Sequence, residues 1–160
     1  ALNENQCQIA ACVFVSPNFG LTKGWLNTLL QLPGIRFWGP WVFGRDRQSE
    51  PHSAAHNAYW TLNYSIQAVF TMMDAVKDAA KLRFKKFKTP LAVIYCYEDQ
   101  VVSSRKTHRL LQRWSGPTEQ LRLPGGDDPY GHLVIGDLMN PSQTETAVKF
   151  TNEFCDKYLG

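Results

Sequence analysis

The chain has 160 residues, 44% of them hydrophobic, which is enough for one domain or a large piece of one and excludes a disordered polypeptide. The net charge is only +3, and the basic cluster at Lys81, Arg83, Lys85, Lys86 and Lys88 is too local to indicate nucleic-acid binding, so we interpret it as a solvated helix end. No apolar stretch approaches the length of a membrane span, and no signal peptide opens the chain.

The cysteines and the first residues leave the cellular location undecided. Cys7, Cys12, Cys96 and Cys155 lack the spacing of metal or redox sites. The chain begins without Met in a polar stretch, so we expect a trimmed or cut polypeptide, and any evidence about export would be lost with the missing part.

The first predicted element is a strand, followed by a broken segment. Ile9–Val15 is a continuous apolar run that ends before Ser16-Pro17, as in a strand buried on both faces of a parallel sheet. Residues 18–55 contain five glycines and three prolines, which predicts neither sheet nor a long helix. Within them, Thr22–Gln31 fits a short helix that Thr22 caps.

Helices and strands alternate through the rest of the chain. Apolar residues from Leu62 to Ala80 recur every three or four positions, which predicts a long amphipathic helix from about Asn57. Further elements follow in the order strand, helix, strand, helix: Leu91–Tyr97, Ser104–Trp114, Gln120–Leu123 and Ser142–Tyr158. This βαβ order predicts an α/β fold with three parallel strands and flanking helices. We expect a core of residues 1–17 and 56–160, interrupted by an insertion of residues 18–55.

Two chemically capable side chains follow the last two predicted strands. Asp99 comes just after Leu91–Tyr97, and His132 lies 33 residues later in a glycine-rich loop. Ligands bind at the carboxyl ends of parallel strands, and a catalytic triad needs a carboxylate to orient its His. Each residue alone also fits an ordinary role: Asp99 as a turn or helix-cap residue, His132 as a loop residue. Their order and joint position favour an acid and His pair.

Two segments resemble α/β-hydrolases of the carboxylesterase, monoacylglycerol lipase and serine aminopeptidase type. Residues 89–102, Thr-Pro-Leu-Ala-Val-Ile-Tyr-Cys-Tyr-Glu-Asp-Gln-Val-Val, are similar to the family's segment with the catalytic acid. Residues 127–137, Asp-Asp-Pro-Tyr-Gly-His-Leu-Val-Ile-Gly-Asp, are similar to its catalytic-His segment, and Ile9–Pro17 to its sixth strand. The resemblance covers essentially the whole chain, and it implies that residues 18–55 are a cap or lid insertion, because they fall where this family inserts its cap.

The resemblance implies a serine hydrolase that cleaves carboxylic esters, in which Asp99 orients His132 and no metal or organic cofactor is needed. No Gly-x-Ser-x-Gly occurs, so the nucleophile and oxyanion hole would precede Ala1 and this piece alone would be inactive. No serine lies on a glycine-flanked elbow, and we assign none as nucleophile: Ser16, Ser49, Ser53, Ser65, Ser103, Ser104, Ser115 and Ser142. An Asp or Cys nucleophile, as in epoxide hydrolases, dehalogenases and lactone hydrolases, stays open, as does a non-catalytic binding module.

Other candidate residues have simpler interpretations. Asp127 and Asp128 compete with Asp99 as orienter of His132 but fit turn formers or loop anchors better. Cys96 lies in mid-strand and is interpreted as core. His108 fits a surface or capping role on its helix. His52 and His56 lack a second ligand at metal spacing.

The predicted insertion is rich in aromatic residues, among them Phe19, Trp25, Trp38 and Trp41. They fit an apolar wall for an ester or lipid substrate, or equally side chains that pack the insertion onto the core. The first strand also lacks its expected neighbour, the strand of the nucleophile. We therefore expect the chain to bind its missing N-terminal half or to self-associate through that edge.

Overall fold

The computed structural model describes residues 9–51 and 53–160, in which helices and strands alternate. A single 3₁₀ turn at Phe84–Lys86 precedes the fourth strand. The elements are, in chain order, β1 (Cys12–Val15), α1 (Gly24–Leu29), α2 (Ile35–Phe43), β2 (Asp46–Gln48), α3 (Ala54–Tyr59), β3 (Asn63–Ser65), α4 (Ile66–Ala80), β4 (Leu91–Cys96), α5 (Ser104–Leu111), β5 (Thr118–Leu123) and α6 (Pro141–Leu159). None of the described helices is long and apolar enough to cross a bilayer.

The main sheet has three parallel strands in the order β1-β4-β5. All six residues of the central strand β4 are buried, as its uninterrupted apolar sequence predicts for a strand covered on both faces. The predicted α/β fold with a parallel sheet and flanking helices is therefore confirmed.

Strand β1 differs from its prediction in length and burial. It begins at Cys12 rather than Ile9, and its side chains alternate between half-buried and exposed. Val13 and Val15 are 36% and 39% exposed, so the described residues cover only one face of this strand. Among the described residues, its one pairing partner is β4. The apolar run predicted two buried faces because sequence alone does not show which neighbours are present.

The chain divides into two compact units, one formed by the residues up to Asn18 together with Arg83–Gly160, the other by Phe19–Leu82. In the first unit, helix α6 packs against β4 and β5. The core there is a cluster of buried apolar side chains from strands, loop and helix: Ile94, Cys96, Leu123, Val134 and Ala147. This unit contains the whole parallel sheet.

The second unit extends beyond the predicted insertion of residues 18–55 because helix α4 belongs to it. Phe70 and Met73 of α4 form one buried cluster with Leu30 and Ile35. The periodic apolar face of α4 was assigned to the hydrolase core, since sequence periodicity shows that a face is buried but not against what. The role of residues 18–55 as a cap stays a prediction.

Helix α2 forms although Pro40 lies inside it. Proline lacks the N–H that would bond the carbonyl of Arg36 four residues earlier. The side-chain amide of Gln67, on α4, donates to that carbonyl at 3.0 Å and replaces the missing bond. Gly39 lets the two helices approach closely, because a Cβ there would lie 2.5 Å from Cζ of Phe70. The sequence predicted neither sheet nor a long helix for residues 18–55, and this nine-residue helix is a second short one that the prediction did not include.

The second unit also contains strand pairing that the sequence did not predict. β2 and β3 form a short antiparallel pair whose residues are all exposed. The expected cap by Thr22 is absent as well: α1 follows Lys23 and has no side-chain cap. Helix α4 starts later than predicted, where the hydroxyl of Ser65 accepts the N–H of Gln67.

Candidate active site

The carboxylate of Asp99 lies in the turn that follows β4 and is held by backbone donors. Its side chain is 2% exposed. Oδ1 accepts the N–H groups of Val101 and Val102 at 2.7 and 2.8 Å, which closes the turn. Asp99 therefore has the ordinary turn role, and this role fixes the direction of its second oxygen.

That second oxygen faces the imidazole of His132. Oδ2 of Asp99 lies 2.9 Å from Nδ1 of His132, and the His side chain is 27% exposed. The structure thus brings together the two residues that the sequence singled out, and both are at the carboxyl-end side of neighbouring parallel strands. No other described residue bonds to the ring, so the arrangement leaves Nε2 available to a further group.

Asp128 holds the His132 loop by its backbone rather than competing with Asp99 for the ring. The Asp128 residue is 5% exposed, and its Oδ2 accepts the N–H groups of His132 and Leu133 at 2.6 and 2.9 Å. Asp127 instead accepts the N–H of Ser142 at the start of α6, and this bond lowers the pKa of its carboxyl. Both acids are anchors, the role that their position before the His indicated.

Ser16 touches the same loop from the end of β1. Its hydroxyl donates to the backbone carbonyl of His132 at 2.5 Å. It is also the non-glycine residue with a positive φ, 43°, among those described. No helix starts there, since α1 begins at Gly24, so Ser16 does not form a strand-to-helix elbow. The sequence placed Ser16 at a strand end but gave no signal of this contact.

Asn140 is a further buried support that sequence reasoning missed. It is 0% exposed, and its amide group donates to the carbonyls of Gly125 and Leu133 at 3.1 and 2.9 Å. Its Oδ1 accepts the N–H of Asp127 at 3.2 Å. The loop between β5 and α6 is therefore tied to the residue that precedes α6. A single asparagine before a Pro-Ser pair gives no sequence signal of such a role.

The remaining candidates do not join the pair. Cys96 is fully buried, and burial raises the pKa of its thiol, which disfavours a nucleophilic thiolate. His108 contacts Gln112 one turn later on the same helix side. His56 is buried next to Trp60, and His52 and Cys7 lie outside the described residues. In the described ranges, no group of three or more His, Cys, Asp or Glu is placed to hold a metal ion.

The four aromatic candidates all belong to the Phe19–Leu82 unit. Trp38 packs against the buried cluster of that unit, and its indole N–H donates to the carbonyl of Pro33. Trp25 and Trp41 are 64% and 88% exposed, and Phe19 is half-buried. Trp38 thus has at least a packing role, and a substrate role for the four stays a prediction.

Comparison with solved structures shows the fold. The chain is similar to a soluble variant of monoglyceride lipase from Saccharomyces cerevisiae, solved in complex with a substrate analog, with a TM-score of 0.61 at 11% identity. The match covers 94% of this chain and 54% of the lipase, so the chain spans about half the length of that α/β-hydrolase. No protein-family model and no curated protein sequence matches the chain.

Proposed function

We propose that the chain is the C-terminal portion of a serine hydrolase that cleaves carboxylic esters, with the serine encoded upstream of Ala1. The observation that supports this most directly is the 2.9 Å contact between Oδ2 of Asp99 and Nδ1 of His132. A buried carboxylate on Nδ1 fixes the tautomer that leaves Nε2 as a base. The fold of a monoglyceride lipase over 94% of the chain agrees with this chemistry.

In the proposed reaction, Nε2 of His132 takes the proton of the upstream serine as its oxygen attacks the ester carbonyl. The resulting imidazolium is stabilised by Asp99, and it gives the proton to the leaving alcohol as the acyl-enzyme forms. His132 then takes a proton from water as the water oxygen attacks the acyl carbonyl, and it returns that proton to the serine oxygen when the bond to the acyl group breaks and the acid leaves. The buried position of Asp99 strengthens its interaction with the imidazolium because water screens it little.

The proposed substrates are short- to medium-chain acyl esters or monoglyceride-like lipids. Phe19, Trp25, Trp38 and Trp41 are proposed to supply an apolar wall in the Phe19–Leu82 unit, acting as a cap. The exposure of Trp25 and Trp41 favours a role outside the packing of that unit, since buried packing residues are not left in water. No metal or organic cofactor takes part in this proposal.

Strand β1 is the proposed attachment edge for the missing part of the protein. Val13 and Val15 are exposed, and within residues 9–51 and 53–160 the strand pairs with β4 alone. An unpaired strand edge with exposed apolar side chains binds other strands readily. We expect residues 1–160 alone to bind the separately expressed N-terminal part, or otherwise to self-associate. Size-exclusion chromatography with mass spectrometry tests this, and a stable monomer that does not bind the N-terminal part would contradict it.

The activity is tested with the full-length protein and a p-nitrophenyl ester. His132→Ala should lower kcat by about 10⁴-fold or more, as loss of a triad member does. His108→Ala is the matched control, because His108 is a histidine of the same unit whose ring nitrogen Nε2 lies 3.2 Å from the side-chain amide of Gln112, away from the Asp99–His132 pair. It should leave kcat unchanged.

Covalent labelling separates the alternatives. A fluorophosphonate probe should label an upstream serine of the wild-type and His108→Ala proteins, and label His132→Ala far more slowly. Labelling of no residue, together with an ester hydrolysis rate that His132→Ala does not change, would refute the proposal and favour a non-catalytic module. Trapping of an aspartyl or cysteinyl intermediate would identify a different nucleophile on the same scaffold.

A further inference from the structure

We propose that Ser16 is a positioning residue that sets the orientation of the His132 imidazole through the backbone of His132; its part in turnover rests on the proposed hydrolase function. The hydroxyl of Ser16 donates to the carbonyl of His132 at 2.5 Å, across 116 residues of sequence. Ser16 does not touch the imidazole itself. Its effect on the ring is therefore indirect.

The backbone of Ser16 is unusual in two respects. Its φ of 43° lies in the left-handed region, which non-glycine residues seldom adopt. It also precedes Pro17, and a residue before proline normally takes an extended conformation. Such a conformation persists where the surroundings impose it, and residues held in this way cluster at functional sites.

The contacts of Ser16 show what imposes it. Its N–H donates to the carbonyl of Ile94 at 2.9 Å and so still continues the pairing of β1 with β4. Its side-chain hydroxyl, in contrast, donates to the carbonyl of His132, outside the sheet. One residue thus joins the end of the sheet edge to the loop that follows β5.

The backbone of His132 is consequently held on both sides of its Cα. Asp128 accepts its N–H at 2.6 Å, and Ser16 donates to its carbonyl. These two bonds fix both peptide planes next to His132, and with them the direction of the Cα–Cβ bond. Asp99 then fixes the ring at Nδ1. The N–H of Leu133 belongs to the same peptide plane as the His132 carbonyl and donates to Asp128 at 2.9 Å. Loss of the Ser16 bond would therefore leave that plane held at the Leu133 N–H alone, and would give the ring more freedom to turn away from Asp99.

A serine that merely stabilises a strand end would affect stability alone, so the test needs a signal from the ring. In the full-length protein, Ser16→Gly removes the hydroxyl and fits a positive φ without strain, while Ser16→Ala removes it and keeps the Cβ. Ser16→Asn restores a donor on a residue type that tolerates this conformation. Thr151→Val is the matched control, because it removes a hydroxyl that donates to the Ala147 carbonyl at 2.8 Å within α6.

The readouts are the low-field proton NMR signal of Nδ1–H of His132 and kcat on the p-nitrophenyl ester. We expect Ser16→Gly and Ser16→Ala to broaden the signal through faster exchange and to lower kcat by about tenfold with KM unchanged. Ser16→Asn should regain most of both, and Thr151→Val should keep both. Near-ultraviolet circular dichroism identifies any variant that has lost its fold.

The results separate this proposal from the proposed function. A wild-type Nδ1–H signal in Ser16→Gly would overturn the positioning role, as would equal changes in Thr151→Val. If Ser16→Gly does not fold, the test uses Ser16→Asn. An altered Nδ1–H signal in a folded Ser16→Asn protein that the fluorophosphonate labels at the wild-type rate would count against the positioning role. A signal that follows the Ser16 variants in a protein without ester hydrolysis would support the positioning role and refute the hydrolase function.

Discussion

The buried carboxylate of Asp128 gives the most direct test of how the His132 loop is held. Replacement by Ala removes the acceptor of three N–H groups: those of His132 and Leu133 at 2.6 and 2.9 Å, and that of Tyr130 at 3.4 Å. These donors lie in a half-buried loop, and the Asp128 residue is 5% exposed, so water cannot freely take the place of the carboxylate as acceptor. Replacement by Asn keeps the shape and one acceptor oxygen but removes the charge.

The expected changes in the free energy of unfolding follow from the two shorter bonds, those that the N–H groups of His132 and Leu133 donate to Asp128. A buried donor left unsatisfied costs about 1–3 kcal/mol, so Asp128→Ala should lower the free energy of unfolding by about 3–4 kcal/mol. Asp128→Asn should lower it by about 1–2 kcal/mol, because bonds to a charged acceptor are roughly twice as strong as neutral ones. The Asn variant is therefore expected to lie between wild type and Ala.

Urea denaturation at equal m values measures both variants. Asp127→Ala is the matched control, since it removes the neighbouring carboxylate, which is exposed and accepts one N–H, that of Ser142. Its effect should be much smaller. If Asp128→Ala were no more destabilising than Asp127→Ala, the conclusion that Asp128 anchors the loop would be refuted.

Two further outcomes are expected elsewhere in the chain. Gly39→Ala should lower the free energy of unfolding by about 1–3 kcal/mol, because its Cβ would lie 2.5 Å from Cζ of Phe70. Gly24→Ala is the control: its Cβ meets nothing within 4 Å, so the free energy of unfolding should stay the same or rise by up to about 1 kcal/mol. Equal urea midpoints for the two variants would contradict the close approach of the helices. The pKa of Asp127 is lowered in the fold by the Ser142 N–H, so its contribution to stability is present above its unfolded pKa and is lost as the pH falls through its lower folded pKa. Asp127→Asn should therefore be less stable than wild type at about pH 7, and the difference should shrink as the pH falls through the folded pKa of Asp127; a difference in urea midpoint that does not change with pH would count against this.

Much of the first unit could be predicted because its signals are local. The apolar run of β4 and the helical pattern of α6 each fix an element without reference to the rest of the chain. Parallel strands place their carboxyl ends together, so Asp99 and His132 could be expected to meet, and their contact of 2.9 Å agrees with that expectation.

What sequence reasoning missed depends on contacts between distant residues. Ser16 and Asn140 support the His132 loop through hydrogen bonds across 116 and 7 residues, and neither has a neighbouring motif. The burial of β1 was overestimated, since only one of its faces is covered in the described residues. The apolar face of helix α4 packs in one cluster with Leu30 and Ile35, a partner that the periodicity of its sequence does not specify.

The proline in helix α2 has a consequence for the order in which the second unit assembles. The carbonyl of Arg36 obtains its donor from Gln67, which follows 31 residues later. Helix α2 is therefore incomplete until α4 is present, whereas α4 has its own cap at Ser65. During synthesis on a ribosome, α2 emerges before α4. In a nascent chain that stalls before residue 67, the carbonyl of Arg36 in the middle of α2 would therefore lack its donor from Gln67.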